Sequence, residues 1–302
     1  MTPARLRTFL ALVQCGSARA AAAQLSVTES AVSASLAALN GEVGVKLFER
    51  TGRGLALTEA GSVFAQYARR IVGLMEESVA AARRGVAAEH GKLRLGAVTT
   101  AGEYLVPGLL ASFRRSYPHV EITLDVGVRD RVFSLLADHQ LDVAIGGRPL
   151  PGRGLVSRAT RSNSLILVAA PGGRTEVAKA TWLLREPGSG TRDTTLSLIG
   201  ALEISPSVLT LGSHGAVVAS AVLGLGITVV STDAVRQHLR SGELQPLTAR
   251  GTPLRRPWHA VTTAEPTATA RLFLAHLTDG RAAGELAFRP GRLSAGAPAS
   301  AG

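Results

Sequence analysis

Residues 6–61 read LRTFLALVQCGSARAAAAQLSVTESAVSASLAALNGEVGVKLFERTGRGLALTEAG, and the fold turns on how this stretch divides. Leu6, Phe9, Leu10 and Val13 recur at helical spacing, so a first helix ends near Gly16. Ser17 then suits the N-cap of a second, short helix through Leu25, whose Ala21 and Ala22 permit close packing. After the turn Leu25-Ser26-Val27, Thr28 caps a third helix, Glu29 to Leu39, with Ala31, Val32, Leu36 and Leu39 facing inward and a further turn at Gly41 to Gly44. The segment ERTGRGLALT places two arginines and two glycines between apolar pieces, as a β-wing does.

Helix, three-residue turn and capped helix is helix-turn-helix geometry, in which the second helix enters the major groove by its N-terminal end. Thr28, Glu29, Ser30, Ser33 and Ala34 are the polar or small positions near that end, and so the candidate DNA-facing set. Thr28 and the free N–H groups beside it suit a phosphate. Ser33 reaches toward a base edge. Arg50 and Arg53 in the wing follow the backbone, and Arg53 fits a narrow minor groove.

Thr58 to Glu89 lacks proline and allows one helix of roughly thirty residues, ~45 Å long. Its apolar stripe runs Ala60, Phe64, Tyr67, Ile71, Leu74, then slips by one residue to Met75, Val79, Ala82 and Val86. A stripe of that length needs a partner, so a homodimer is expected through this helix. Beyond residue 90 the rhythm becomes strand–helix–strand. KLRLGAV, VEITLDV and LDVAIGG alternate with helical segments, and SLILVAA, TWLLRE, SVLTLG and GITVVS follow before HAVTTAE and RLFLAHL. This argues α/β units with mostly parallel sheets and a cleft between them. The expected division is a DNA-binding domain at 1–58, a linker helix at 59–89 and a two-part α/β unit at 90–302. Within the last, one subdomain covers 90–161 and 267–288, the other 162–266, and the Gly-, Ala-, Pro- and Ser-rich stretch 289–302 is expected to be disordered.

The whole chain has 302 residues, with 33 Lys+Arg against 22 Asp+Glu, a net charge of +11. Only Lys46, Lys92 and Lys179 are lysines; arginine's planar fork suits phosphate and carboxylate partners. Residues 1–89 hold ten basic and seven acidic residues, +3, which leaves twenty-three and fifteen, +8, for residues 90–302. The excess is not concentrated on the DNA-binding end, so the C-terminal unit is expected to meet an anion of its own. The single cysteine, Cys15, excludes a disulfide framework and a multi-cysteine metal site, and reads as a small buried hydrophobe. The seven histidines show no metal spacing, so neither metal nor cofactor is expected. Gly215 to Ser231 is the best membrane candidate, but Gly224 and Gly226 break it; a buried helix, a glycine turn and a core strand explain it better. A cytoplasmic protein without a membrane segment is expected.

Taken as a block, residues 6–61 resemble the DNA-binding segment of the LysR-type transcriptional regulators. The match in order and spacing covers GS, AA, A-V-S, E-x-G-V-x-LFER and LTEAG. The resemblance implies a winged helix-turn-helix domain, a long linker helix and two Rossmann-like subdomains forming an effector domain like a periplasmic binding protein. It implies double-stranded promoter DNA, a small-molecule effector and RNA polymerase as partners, and a homotetramer, a dimer of dimers, as an alternative to the homodimer. GEYLVPGLL, LDVAIGGRP and REPGSGTR lean toward the branch that controls carbon-fixation operons. There are departures. Glu29-Ser30 stands where the family usually has Gln-Pro, Asn40 where it has an acidic residue, and Ala18 where it has an aromatic. Glu29 cannot make glutamine's bidentate contact to adenine; it accepts from a cytosine amine and repels phosphate. The operator preference of relatives therefore does not carry over.

In α/β units, ligands sit beyond the carboxyl ends of strands and at helix N-termini. Three segments meet that rule: Thr99-Thr100 after KLRLGAV, Gly146-Gly147-Arg148 after LDVAI, and Ser189-Gly190-Thr191-Arg192 after TWLLREPG. Gly226 enters a strand at the expected cleft. Each has a plainer reading: helix capping for the threonines, a tight turn for Gly188 to Gly190, a solvated charge for Arg148 and Arg192, close backbone approach for Gly226. His214, near the cleft by the resemblance, also has a structural reading. No G-x-S-x-G elbow supports Ser189 or Ser213 as a nucleophile, so an enzyme is not expected. The competing reading is a two-lobed ligand-binding protein with only non-specific DNA affinity.

Overall fold

Three hydroxyls open the first three helices. In this computed structural model, which describes residues 1–51, 54–82, 88–149, 151, 154–172 and 175–291, Thr2 caps α1 (Pro3–Cys15), Ser17 caps α2 (Ala18–Leu25) and Thr28 caps α3 (Glu29–Val43). Each accepts a backbone N–H three residues on, the bond expected to stabilise a helix start by about 1 kcal/mol. Gly16 and Gly44 end α1 and α3 in the left-handed region, at φ 69° and 78°. The third helix runs four residues past the expected Leu39: Gly41 is carried within it in spite of its poor helix propensity, and the stop falls on the left-handed Gly44. Val32 and Leu39 are buried as expected, but Ala31 faces solvent. It lies one residue off the Val32–Leu39 face.

The wing is a hairpin of β1 (Phe48–Thr51) and β2 (Gly54–Leu57), paired from Phe48↔Leu57 to Thr51↔Gly54. Its root joins the helical core through Phe9, which meets Phe48 and Phe64 edge-on at 5.4 and 5.1 Å. Thr58 then caps α4 (Glu59–Ala82), accepting from the Gly61 N–H at 2.9 Å. Gly61 must be glycine, since a Cβ there would stand 1.9 Å from the Leu47 carbonyl oxygen. The helix is described as far as Ala82, residues 83–87 lie outside the described residues, and Ala88–His90, expected within the same helix, form a short 3-10 turn. Its apolar positions split into two faces. Ala65 and Ala68, with Phe64 and Val72, complete the N-terminal core, whereas Val63, Tyr67, Ile71, Leu74, Met75 and Val79 are exposed along the other side.

The chain divides into two units, Met1–Gly85 with Asp138–Gln140, and Val86–Ala137 with Leu141–Gly302. The second consists of two lobes. Lobe I holds β3 (Lys92–Val98), α5 (Thr99–Tyr104), α6 (Val106–Ser116), β4 (Glu121–Gly127), α7 (Arg129–Ala137), β5 (Val143–Gly146) and β6 (Val156–Arg161). Lobe II follows with β7 (Ser164–Ala169), β8 (Trp182–Leu184), α8 (Gly190–Ala201), β9 (Val208–Thr210), α9 (His214–Val222), β10 (Thr228–Ser231), α10 (Thr232–Ser241), β11 (Gln245–Leu247) and β12 (Leu254–Arg255). The chain returns to lobe I through β13 (Trp258–Thr262), α11 (Ala268–Thr278), α12 (Gly280–Ala283) and β14 (Arg289–Pro290). The segment expected as helix, turn and strand between Gly215 and Ser231 is α9, the left-handed Gly224 and the fully buried β10. No helix among the described residues is long and apolar enough to cross a membrane.

Three expectations need correction. The return to lobe I comes at Trp258, not at 267, because β13 pairs with both β5 and β6 at the centre of the lobe I sheet, whose order is β14-β6-β13-β5-β3-β4. The sheets are mixed rather than mostly parallel: β3 pairs parallel with β4 and β5, but β7 pairs antiparallel with β10, β11 and β12. Alternation of strands and helices does not reveal which strands a crossover leaves adjacent. Finally, the expected disorder from Arg289 begins too early. Arg289 and Pro290 pair with β6, and the Gly291 N–H reaches the Arg158 carbonyl at 2.7 Å. Phe288, buried in the lobe I core, anchors that segment; residues 292–302 lie outside the described residues.

Candidate functional site

In the N-terminal unit, Thr28, Glu29, Ser30, Ser33 and Ala34 are all exposed on the first turns of α3. The Thr28 hydroxyl accepts from the Ala31 N–H at 3.2 Å and lies 2.9 Å from the Ser30 hydroxyl, so it is already engaged in capping. Ser33 and Ala37 share a groove with Arg50 of β1, walled by Gly16, Ser17 and Ala18. Recognition helix and wing thus face one concave surface. The small Ala18 is one of its walls, at the position where an aromatic would add bulk. Arg53 lies outside the described residues.

The second candidate site is the cleft between the lobes, which encloses about 540 Å³, part of it open to solvent. Five of the expected residues line it: Thr99, Thr100, Gly147, Ser189 and Thr191. Thr99 and Thr100 open α5, where the Thr99 hydroxyl donates to the Gly127 carbonyl at 3.3 Å. Ser189 stands at the N-cap of α8, 5% exposed, and makes no capping bond with its side chain. Four expected residues are elsewhere. Gly146 is the buried last residue of β5, outside the lining residues, and Gly226 packs its Cα against the Thr181 carbonyl, where a Cβ would come within 2.2 Å. Arg148 is exposed outside the lining residues. Arg192 points away and donates to the Arg185 carbonyl at 2.7 Å and the Thr210 hydroxyl at 3.2 Å.

The cleft's cations are instead Arg129, Arg185 and Arg256. Arg185 is neutralised by a two-pronged pair with Glu186, at 2.7 and 2.6 Å. Burial alone would raise the Glu186 carboxyl, but the hydrogen bonds from Arg185 carry it below its ordinary value. Arg129 meets Asp130 at 3.1 Å and Asp193 at 3.2 Å. Arg256 differs. It donates to the Thr194 hydroxyl and has no carboxylate in salt-bridge range among the described residues. Burial, and then the nearby Arg129 guanidinium, lower its pKa from the ordinary arginine value, with Asp193 opposing.

Arg129 follows the end of β4 and was open to the same strand-end rule that selected Thr99; Arg256 had no comparable signal, since it sits on a crossover between lobes that periodicity does not show. His214 is buried at 1% exposure at the start of α9, its Nε2 has no hydrogen-bond partner among the described residues, and its ring meets Tyr104 of lobe I edge-on at 5.4 Å. Burial, with Arg185 adding to it, pushes its pKa down to about 4. Ser213 caps α9, and neither it nor Ser189 hydrogen-bonds a histidine among the described residues. No group of three His, Cys, Asp or Glu able to hold a metal occurs among the described residues. Cys15 is half-buried, its thiol 2.9 Å from Gln24 Oε1.

Two family models match the chain in the order of its units. Residues 3–62 match "Bacterial regulatory helix-turn-helix protein, lysR family", and residues 87–282 match "LysR substrate binding domain". The chain belongs to the LysR family of bacterial transcriptional regulators. Among relatives, the HTH-type transcriptional regulator CfxR of Cupriavidus necator is 33% identical over 86% of this chain and 84% of its own length. A full-length OxyR variant from Pseudomonas aeruginosa has the same fold, with a TM-score of 0.70 at 20% identity over 95% of this chain and 94% of that one. The regulatory domain of Synechocystis PCC6803 CcmR, solved in complex with 2-PG, matches with a TM-score of 0.57 at 26% identity, covering 61% of this chain and 94% of that one. This LysR-type regulator is therefore a DNA-binding protein with an effector domain of two lobes.

Proposed function

We propose that this regulator senses a small phosphorylated or carboxylic acid held between its lobes, and that the acid's charge is met by Arg256. The supporting observation is electrostatic: of the three guanidiniums lining the cleft, Arg129 and Arg185 have carboxylate partners and Arg256 has none among the described residues. Thr99, Thr100, Ser189 and Thr191 supply hydroxyls around it, and the N-terminus of α8 supplies N–H groups. CcmR's complex with 2-PG is in keeping with this chemistry. On this reading Gly147 allows backbone approach, while Gly146, Arg148, Arg192 and Gly226 act outside the ligand's reach.

At the other end, Thr28, Glu29, Ser30, Ser33 and Ala34 meet the major groove, and Arg50 with Arg53 tracks the phosphate backbone from the wing. The exposed face of α4 pairs with a second copy, giving a homodimer or a dimer of dimers, and the assembled regulator contacts RNA polymerase at promoters of carbon-fixation type in the cytoplasm. It is not an enzyme. Effector binding shifts the population of lobe arrangements and so changes DNA bending.

Calorimetric titration of the full chain with 2-PG, beside R256A, tests the effector reading. Saturable binding that R256A weakens about a hundredfold, about 2.7 kcal/mol, is the expected result. Binding that R256A leaves unchanged would overturn the role given to Arg256.

A further inference from the structure

The chain passes between the lobes twice, outward from Arg161 to Ser164 and back from Arg255 to Trp258. Both passages are fastened by the start of one helix. Asp233, in the first turn of α10, accepts with a single oxygen, Oδ2, from Arg161 Nη1 at 2.7 Å and from Trp258 Nε1 at 3.1 Å. Its other oxygen takes Arg236 Nη2 at 2.8 Å. Arg161 and Trp258 are direct partners in the β6–β13 ladder, so the carboxylate spans the pair of strands where both leave the lobe I sheet. Two residues before Asp233, the Ser231 hydroxyl donates to Asn163 Oδ1 at 2.6 Å. Asn163 in turn donates from Nδ2 to the Arg256 carbonyl at 2.9 Å and accepts the Arg256 N–H on its own carbonyl at 3.0 Å.

We propose that Asp233 is the positioning residue of the interlobe hinge, the side chain that keys both crossovers to lobe II and sets the angle between the lobes. Two crossovers of a few residues each would by themselves permit twisting and sliding, since hinges work by letting a few residues absorb the dihedral change. Here the reciprocal Asn163–Arg256 bonds join the crossovers to one another, and Asp233 joins the pair to α10. The lobes then move about this anchor and not by independent bending of two strands. The pair is well placed to hold: the Arg161 and Asp233 side chains are 12% and 10% exposed, so losing the carboxylate strands a largely buried guanidinium. Arg236, which takes the outer oxygen, is half-exposed and is the lesser partner. The coupling to ligand rests on the reading of Arg256 given above: an acid drawn to that guanidinium pulls on a residue whose backbone is part of the lock.

The test needs no ligand, so its failure is separable from failure of the effector reading. Cys15 is replaced by serine, and spin labels are placed at R115C in lobe I and S205C in lobe II, both exposed positions. Full chains are diluted with unlabelled chain so that only intrachain distances are read by pulsed electron resonance. The parent is expected to give one narrow interlobe distance, and D233A a broadened or doubled distribution. A purely structural role would lower the melting temperature and leave the distribution unchanged, which would overturn the proposal. Should D233A fail to fold, R161M decides: it keeps an unbranched side chain at the strand end and removes the guanidinium donor to Asp233, and a broadened distribution supports the clamp while a parental one overturns it.

Discussion

Two helix starts in this molecule use the same backbone chemistry in opposite ways. At α3 the N-cap Thr28 accepts an N–H of its own helix, and the residues behind it are exposed, short and nearly uncharged. At α8 the N-cap Ser189 is buried, forms no capping bond, and faces a cleft containing three guanidiniums. The first is a finished surface with a fixed shape, suited to a large partner that brings its own charge. The second is a lined space whose polar groups are directed inward. The charge count follows the same division: +3 for residues 1–89 and +8 for residues 90–302. The DNA-reading end of this regulator is the electrically modest one.

The largest expected effect separates the two units thermodynamically. Phe9→Ala removes the ring that both Phe48 and Phe64 pack against, and should cost about 3–5 kcal/mol. Calorimetry should show the N-terminal unit melting early while the effector unit keeps its transition; a common shift of both would break the comparison. Next comes acid sensitivity on the effector side. His214 is held neutral with a pKa of about 4, below the ordinary 6.5, so the unfolded chain binds its proton more readily. Its contribution is complete above pH 6.5 and fades as the pH falls toward 4, by roughly 3 kcal/mol in all. Denaturant titrations at pH 7 and pH 4.5 should show H214N losing less stability than the parent over that interval; an equal loss would mean His214 does not govern it.

How much of this was legible from residues alone differs between the halves for a physical reason. The N-terminal elements are local: caps at Ser17 and Thr28, a left-handed glycine at 16 and a period of 3.6 all act within a few positions of one another, and the chain obeys them. Ala31 departs from the expected inward face because one residue of helical phase separates it from Val32. The cleft is non-local. The strand-end rule reaches Thr99, Thr100, Gly147, Ser189 and Thr191, which line the cleft, but Arg256 joins that lining from a crossover more than sixty positions after Ser189. Arg192, one residue beyond Thr191, turns outward to the Arg185 carbonyl. Composition pointed to an anion in the C-terminal unit; it could not select which arginine lacks a carboxylate partner.

Smaller effects sharpen the same contrast at the DNA end. Thr28→Ala should destabilise the N-terminal unit by about 1 kcal/mol, read as a lowered midpoint in urea with an unchanged slope. Arg50→Ala should leave stability alone and weaken all DNA sequences alike, lowering the slope of log K against log salt by about one. A sequence-dependent loss at Arg50 would instead place it on a base edge.

The central claim is that this chain discriminates DNA sites and that a small acid alters the discrimination. Fragments of its source genome, retained by the full chain at about 150 mM salt in the range where phosphate contacts alone are weak, would be sequenced with and without 2-PG. The account predicts a few strongly enriched fragments whose protected length or bend changes when the acid is added. Uniform retention of the genome, unchanged by the acid, would contradict it.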